Sequence, residues 1–372
     1  MPRIRTCALH FAPERSRNAA GKHVRDGLSS VLLTGDNLWL AGDESATLER
    51  LRRQPDGSFG QHASFRLADL LDLPGSQEQE VDLEGLAEAG HYLWLIGSHS
   101  RKRQKPDPEH LDAPKQLGKL AEVEADANRY LLARVPLLPD PVTGNFTLRR
   151  TAPDPDRPDR LLFAAALRPR GGANELLHLL RRDEHLGPFL QLPGKDNGFD
   201  IEGLAAAPDG RVFVGLRGPV LRGWAVVLEL LPRPDKHGQL RLAKLPGTAN
   251  RYHKHFLDLG GMGLRELRLL DRDLYLLAGP TMDLDGTIAV YCWPDMLGPH
   301  ARHTLHHPER LQRLFDVPHR AGHDRAEGMA VLDEQHVLCV FDTPADARKP
   351  AADAVLADIY TLPKRARPKR AK

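Results

Sequence analysis

This chain of 372 residues is poor in cysteine and aromatics, has almost no net charge, and contains no long apolar run. Cys7, Cys292 and Cys339 are odd in number and far apart, which excludes a disulfide framework. Each lies in or beside an apolar stretch, so buried reduced thiols are expected. No segment approaches the ~20 apolar residues of a membrane span. The N-terminus, "MPRIRTCALHFAPERSRN", has no apolar core long enough for a signal peptide. A soluble cytoplasmic protein is the expectation. A formal net charge of +2 gives no general case for a nucleic-acid partner. The exception is "PKRARPKRAK" at 363–372, read as a disordered basic tail and the one segment suited to nucleic acid or anionic lipid. G-x-S-x-G elbows, P-loops and CxxC pairs are all missing.

Glycine and proline, by contrast, are plentiful (32 and 30 residues), which favours a turn-rich fold over a helical bundle. The phrase "DLEGLAEAGHYLWLIGSHS" from Asp82 returns as "DIEGLAAAPDGRVFVGLRGP" from Asp200 and as "RAEGMAVLDEQHVLCVFDTP" from Arg325. Weaker copies are "LSSVLLTGDNLWLAGDES" and "LRELRLLDRDLYLLAGPTMD". In this register Ser29, Glu84, Glu202, Arg265 and Glu327 are equivalent, roughly 60 residues apart with one double step. Each copy reads as two strands about a tight turn ("TGDN", "EAGH", "APDGR", "LDRD", "LDEQ"). Two further strand-like runs usually follow, such as "ATLERLRRQ" with "SFGQHASFRL", "RYLLARVPLL" with "NFTLRRT", and "WAVVLELL" with "QLRLAKL". Four antiparallel strands per repeat predict an all-β fold, a β-propeller of five blades, with six as the alternative. The first strand, "RTCALHFA", is expected to pair with the last, "VLADIYTL", and close the ring. Residues 1–362 then form one domain with insertions at 101–128 and 151–200. The second insertion is expected to be helical through "PDRLLFAAALRP" and "NELLHLLRRDEHLGPFL", with Asn174 as N-cap.

In an antiparallel hairpin the start of the first strand lies beside the end of the second. An inner set of Ser29, Glu84, Glu202, Arg265 and Glu327 is therefore expected at one channel mouth. Glu44, His99, Arg217, Thr281 and Asp342 should stand just outside it, with Asp82 and Asp200 in reach. Both insertions leave from the same rim and suggest a covered pocket. Like charges about 6 Å apart repel by roughly 3 kcal/mol at an effective dielectric near 20, so converging glutamates need compensation. Arg265, a Ca²⁺ or Mg²⁺ ion, or a raised carboxyl pKa would each supply it. The competing reading is that each glutamate accepts hydrogen bonds from backbone N–H groups of a neighbouring blade. Lys195, Arg217 and Arg222, in glycine-rich loops on that rim, suit a carboxylate or phosphate ligand or else bridge blades structurally. "HKH" at 253–255 and "HTLHH" at 303–307 have metal-like spacing but no adjacent carboxylate or cysteine partners. Ser98, His99 and Ser100 place hydroxyls near an imidazole, although neighbours on one strand end point to different sides.

The phrases "DLEGLA…LWLIGSHSRKR", "KDNGFDIEGLA…VGLRGPVLRGWA", "LGGMGLRELRLL…LYLLAGPTMD" and "AEGMAVL" resemble the bacterial family called domain of unknown function 3616, over nearly the whole chain. That resemblance supports the fold and implies no activity. More distantly, the "EGLA" entry is similar to phytase-like and esterase-like propellers. There calcium and carboxylates at the channel mouth handle phosphorylated or ester substrates, and Glu84, Glu202 and Glu327 are the matching positions. Ser29 and Arg265 depart from a fully acidic site. Two functions follow as expectations. One is a hydrolase of an anionic phosphoester or other ester. In it Glu84, Glu202, Glu327 and His99 are catalytic, the three glutamates are metal ligands, and Arg217, Arg265, Arg222, Lys195, Asp342 and Glu44 bind the ligand. The other is a non-catalytic propeller binding a small molecule or a protein at the rim.

Overall fold

The computed structural model describes residues 5–18, 21–77, 79–107, 112–282, 284–298 and 304–363, and the basic tail beyond lies outside the described residues. Strands dominate, and they assemble in the order in which the repeats occur. The first antiparallel group is Leu28–Thr34, Asn37–Gly42, Thr47–Arg53 and Phe59–Arg66. The second is Leu83–Ala89, Tyr92–Gly97, Leu132–Pro139 and Phe146–Leu148. Asp200–Ala206, Val212–Leu221, Trp224–Leu230 and Tyr252–Asp258 make the third. Gly263–Leu270, Asp273–Gly279, Ile288–Trp293 and Gln312–Val317 make the fourth. In the last group Arg325–Asp333, His336–Asp342 and Ala354–Thr361 are completed by Arg5–His10 from the other end of the chain. The expected pairing of first and last strands is present, in register from Arg5 opposite Ile359 to His10 opposite Ala354.

The leading strand of each group packs beside the leading strand of the next, and the last returns to the first. Period-2 alternation sends successive side chains to opposite faces of a sheet, so each sheet serves two cores. Val212, Val214 and Leu216 join the core shared with Trp94 and Ile96, whereas Phe213 joins the core shared with Leu276 and Ala289. Separate apolar clusters likewise lie between the first and second, the last and first, and the fourth and last groups. Sheets stacked face to face around a common centre define a propeller-like all-β architecture. Among the described residues no helix is long and apolar enough to cross a membrane.

The centre itself is crowded, which explains the glycine of "EGLA". A Cβ on Gly85 would stand 2.7 Å from the Leu204 Cβ, and one on Gly203 would stand 2.8 Å from the Leu267 Cγ. The equivalent positions in the first and fourth groups carry Ser30 and Glu266, and the Ser30 hydroxyl donates to Glu266 Oε2 at 2.6 Å. Arg268 fills the remaining space. Its guanidinium forks onto Glu266 at 2.7 and 2.8 Å and donates to the carbonyls of Val31, Leu86, Leu204 and Leu267. Each carbonyl lies two residues beyond a repeat-start position, so one side chain ties four leading strands together. Burial pushes the Glu266 carboxyl up, and the Arg268 cation pulls it back.

Two expectations about the connections require correction. "PDRLLFAAALRP" is not helical. Arg157–Phe163 pairs with Thr151–Asp154 as a hairpin, and of Leu161 and Leu162 only the second is buried, so the spacing serves a strand face. "QLRLAKL" does not supply an outer strand either. Leu240–Leu242 folds back on Pro232–Pro234 through the "PDKHG" turn, where the Asp235 carboxylate accepts from the backbone N–H groups of His237 and Gln239. Tyr252–Asp258, carrying "HKH", takes the outer place instead. Helices do occur in the insertions, at Ala113–Ala121 and Glu175–Leu180. Asn174 caps the second, accepting from Leu177 N at 3.1 Å.

Candidate functional site at the channel mouth

The five repeat-start residues share one backbone device. In every leading hairpin the ladder skips a residue, between Leu28 and Ser30, Leu83 and Gly85, Ile201 and Gly203, Leu264 and Glu266, and Ala326 and Gly328. The skipped residues are Ser29, Glu84, Glu202, Arg265 and Glu327. A β-bulge frees one residue from the ladder and re-aims its side chain. The repeat therefore delivers a bulged side chain to the same rim from each group.

These side chains interact across groups. Arg265 donates to Glu327 Oε1 at 2.5 Å and lies 3.9 Å from Glu202 Oε2. Arg217 donates to Glu202 Oε1 at 2.6 Å and approaches Asp200 at 3.8 Å. Arg129 pairs with Asp82 at 2.9 Å. Glu202, Arg217 and Arg265 are almost sealed from solvent, at 4%, 7% and 3% exposure. Ser29 is occupied otherwise, its hydroxyl donating to the Leu83 carbonyl at 2.5 Å. Glu202 and Glu327 are thus held by arginine side chains.

Acidic groups nonetheless outnumber arginines. Asp43, Glu84 and Asp342 join the four already named, and among the described residues none of the three is paired with an arginine. Burial pushes the Asp43 carboxyl up to about 8, helped by Asp82, Asp342 and Glu327. Burial likewise raises Asp200 to about 7 against the pull of Arg217, and Asp342 to about 6 with help from Glu327. Glu84 is raised well above the ordinary range by burial and by Asp82, Glu202 and Glu327. Desolvation and like charge act in one direction here, which is how a protein keeps carboxyls protonated near neutral pH.

Other expected site residues sit elsewhere. Glu44 turns away to Lys22 at 2.7 Å, and its neighbour Asp43 faces the mouth in its place. His99 is sealed in the interior, with Nδ1 on the Gly97 carbonyl at 2.8 Å and Nε2 at 2.7 Å from the Asn174 amide. Burial lowers its pKa to about 4, so it stays neutral and supports the second insertion. Ser98 and Ser100 bond to one another at 3.0 Å, and no Ser–His pair forms. Lys195 is exposed on the rim within electrostatic reach of Asp342, and Arg222 is exposed at the tip of the adjoining turn. The two insertions meet there: Gly194 N donates to the Arg101 carbonyl at 3.0 Å, and Arg103 pairs with Asp196 at 2.8 Å.

Asp43, Arg129 and the Glu266–Arg268 pair escaped sequence reasoning. The last had a visible signal, since "RELR" places charges where the "EGLA" and "EGMA" copies carry glycine and alanine. The histidine phrases come together differently from their spacing. His255 Nε2 is 3.1 Å from Glu229 Oε2, and His306 Nε2 is 3.3 Å from His255 Nδ1, whereas His303 lies outside the described residues. Among the described residues, three potential ligand atoms come within 4.8 Å of one another at His91, Asp154 and Asp156, a surface cluster away from the repeat-start residues.

A propeller-like ring with a carboxylate-rich, arginine-braced mouth is the class of protein this architecture defines. Within that class, the chain belongs to the family described as "Protein of unknown function (DUF3616)", whose model matches residues 27–358. No curated protein matches it. Solved structures similar to it include the PQQ-bound aldose sugar dehydrogenase of Streptomyces coelicolor, 11% identical, covering 97% of this chain and all (100%) of that one, with a TM-score of 0.38. The glutaminyl cyclase of Myxococcus xanthus is also 11% identical, covering 98% and 100%, with a TM-score of 0.39. A putative oxidoreductase (glucose dehydrogenase) of Thermus thermophilus is 14% identical, covering 97% and 100%, with a TM-score of 0.39. None of these similarities bears on the chemistry of this chain.

Proposed function

We propose that residues 1–362 form a single five-bladed propeller whose mouth binds a divalent cation and an anionic ester, preferably a phosphoester, and hydrolyses the ester. The observation that carries this reading is the set of bulged side chains from separate sheets, of which Glu202, Arg265 and Glu327 form one charged chain. The donor set is all oxygen, as hard cations require, and Glu202 Oε2 is buried without a hydrogen-bond donor. Ca²⁺ or Mg²⁺ held by Glu84, Glu202 and Glu327 would supply charge stabilisation at a phosphoryl or acyl oxygen. Arg217 and Arg265 hold Glu202 and Glu327 in place, while Lys195 and Arg222 on the rim attract the anion.

A second reading, a non-catalytic propeller that binds a ligand or protein at this rim, is favoured by one observation. Ser29 is tied to a carbonyl and His99 is sealed at both nitrogens, so neither forms a nucleophile–base pair. Thermal unfolding in EDTA, then with Ca²⁺ or Mg²⁺, separates the two when run beside an ester and phosphoester panel. The hydrolase reading expects a metal-dependent rise in midpoint, lost in Glu84→Gln and Glu202→Gln, and turnover that falls at least about a hundredfold in both. No turnover in the wild type, with an unmoved midpoint, refutes it.

A further inference from the structure

We propose that the Arg265 guanidinium stands in for the divalent cation at the mouth, and that an ion enters by displacing it from Glu202 and Glu327. This rests on the reading of the mouth as a cation-dependent centre and adds a competitor supplied by the chain itself.

Arg265 is the one basic member of the five bulged residues. Its Nη1 lies 2.5 Å from Glu327 Oε1 and 3.9 Å from Glu202 Oε2. A single nitrogen thus faces carboxylates from two separate sheets, where a cation shared between them would sit. Space for the side chain is built in, since a Cβ on Gly279 would stand 2.6 Å from Arg265 Nε and 3.0 Å from its Cδ.

Bonding is incomplete on both sides of this contact. Glu202 is 4% exposed, and its Oε2 accepts no hydrogen bond, while Oε1 is taken by Arg217 at 2.6 Å. Arg265 Nε is likewise buried without an acceptor, and Nη2 reaches only the Pro280 carbonyl at 3.3 Å. Arg268, three residues on, is a structural arginine by contrast, forked onto Glu266 and donating to four carbonyls. Buried donors and acceptors left unpaired carry a desolvation penalty that a better-fitting cation removes. The guanidinium brings one glutamate oxygen to bonding distance. Ca²⁺ draws oxygens from several directions to about 2.3–2.6 Å, with water completing the shell. An ion at the Nη1 position meets Glu327 Oε1 as it stands and Glu202 Oε2 after a shift of roughly 1.5 Å.

Isothermal titration of the full chain with Ca²⁺ alone and with Mg²⁺ alone tests this, with circular dichroism as the check on folding. Arg265→Met removes the charge at similar length and should bind an ion at least about tenfold more tightly than wild type, because a unit positive charge beside an incoming divalent ion repels it. Gly279→Ala keeps every charge but crowds the guanidinium out of its seat, and should tighten the ion at least about threefold. It decides the matter if Arg265→Met does not fold. Binding that appears only in these variants supports the stand-in most directly. If the wild type binds an ion and Arg265→Met binds it more weakly, or with a smaller gain than expected, the stand-in is wrong while the cation-dependent reading survives. If neither wild type nor variants bind either ion at millimolar concentration, both fall together.

Discussion

Replacing Arg268 by Met tests the most consequential contact in the ring. The substitution nearly preserves side-chain length but removes the fork on Glu266 and every donor to the carbonyls of Val31, Leu86, Leu204 and Leu267. Breaking a buried ion pair on one side only costs about 3–5 kcal/mol, because the remaining group stays desolvated. Carbonyls stripped of a donor add to this, although the terms are not additive. Against a whole-chain stability of roughly 5–15 kcal/mol the loss is large. At an m-value of about 3 kcal/mol/M, the urea midpoint should fall by ~1–1.7 M. Tryptophan fluorescence is a suitable probe, since Trp39, Trp94 and Trp293 are buried in three of the inter-sheet cores. Glu266→Leu combined with Arg268→Met removes both charges and should recover most of the loss. A midpoint shift below about 0.3 M in the single variant would refute the reasoning. So would a double variant no more stable than the single one.

Further outcomes follow from the same contacts. Gly203→Ala drives a methyl to 2.8 Å from Leu267 Cγ at a packed centre and should cost about 1–3 kcal/mol in urea denaturation. Asn174→Ala loses the cap on Leu177 N and the contact with His99 and should cost about 1–2 kcal/mol, with faster proteolysis in 151–200 as a second readout. His99 has its pKa depressed to about 4, so between its ordinary 6.5 and that value the unfolded chain binds a proton that the folded chain refuses. Stability should therefore fall as pH drops through this window, by at most ~1.4 kcal/mol per pH unit from this one group. The melting temperature measured at pH 7 and pH 5 should drop more for wild type than for His99→Gln, and equal drops would exclude His99 as the cause.

The expected sites differed in how far one strand could specify them. Glu84, Glu202 and Glu327 were legible because a repeat in the sequence becomes a repeat in space once hairpin follows hairpin, and equivalent positions must then share a rim. The bulge beneath each was not legible, since a skipped ladder position depends on both strands of the pair. Glu44 shows the consequence: a one-residue offset at the end of Asn37–Gly42 turned it to Lys22 and brought Asp43 to the mouth. His99 was misjudged in surroundings, because a histidine at a strand end looks the same whether a later helix covers it or not.

Alternating apolar residues, turn-forming pairs and the "EGLA" copies determined the all-β repeat, the leading strands and the closing role of Arg5–His10. Those features rest on local periodicity, which a chain carries in its own order. Ring closure alone decided which charge meets which. Arg265 reaches Glu327 across 62 residues of sequence, and Arg268 reaches the Val31 carbonyl across 237. Such pairings depend on distances between separate sheets at a crowded centre, and these exist only after every sheet has packed.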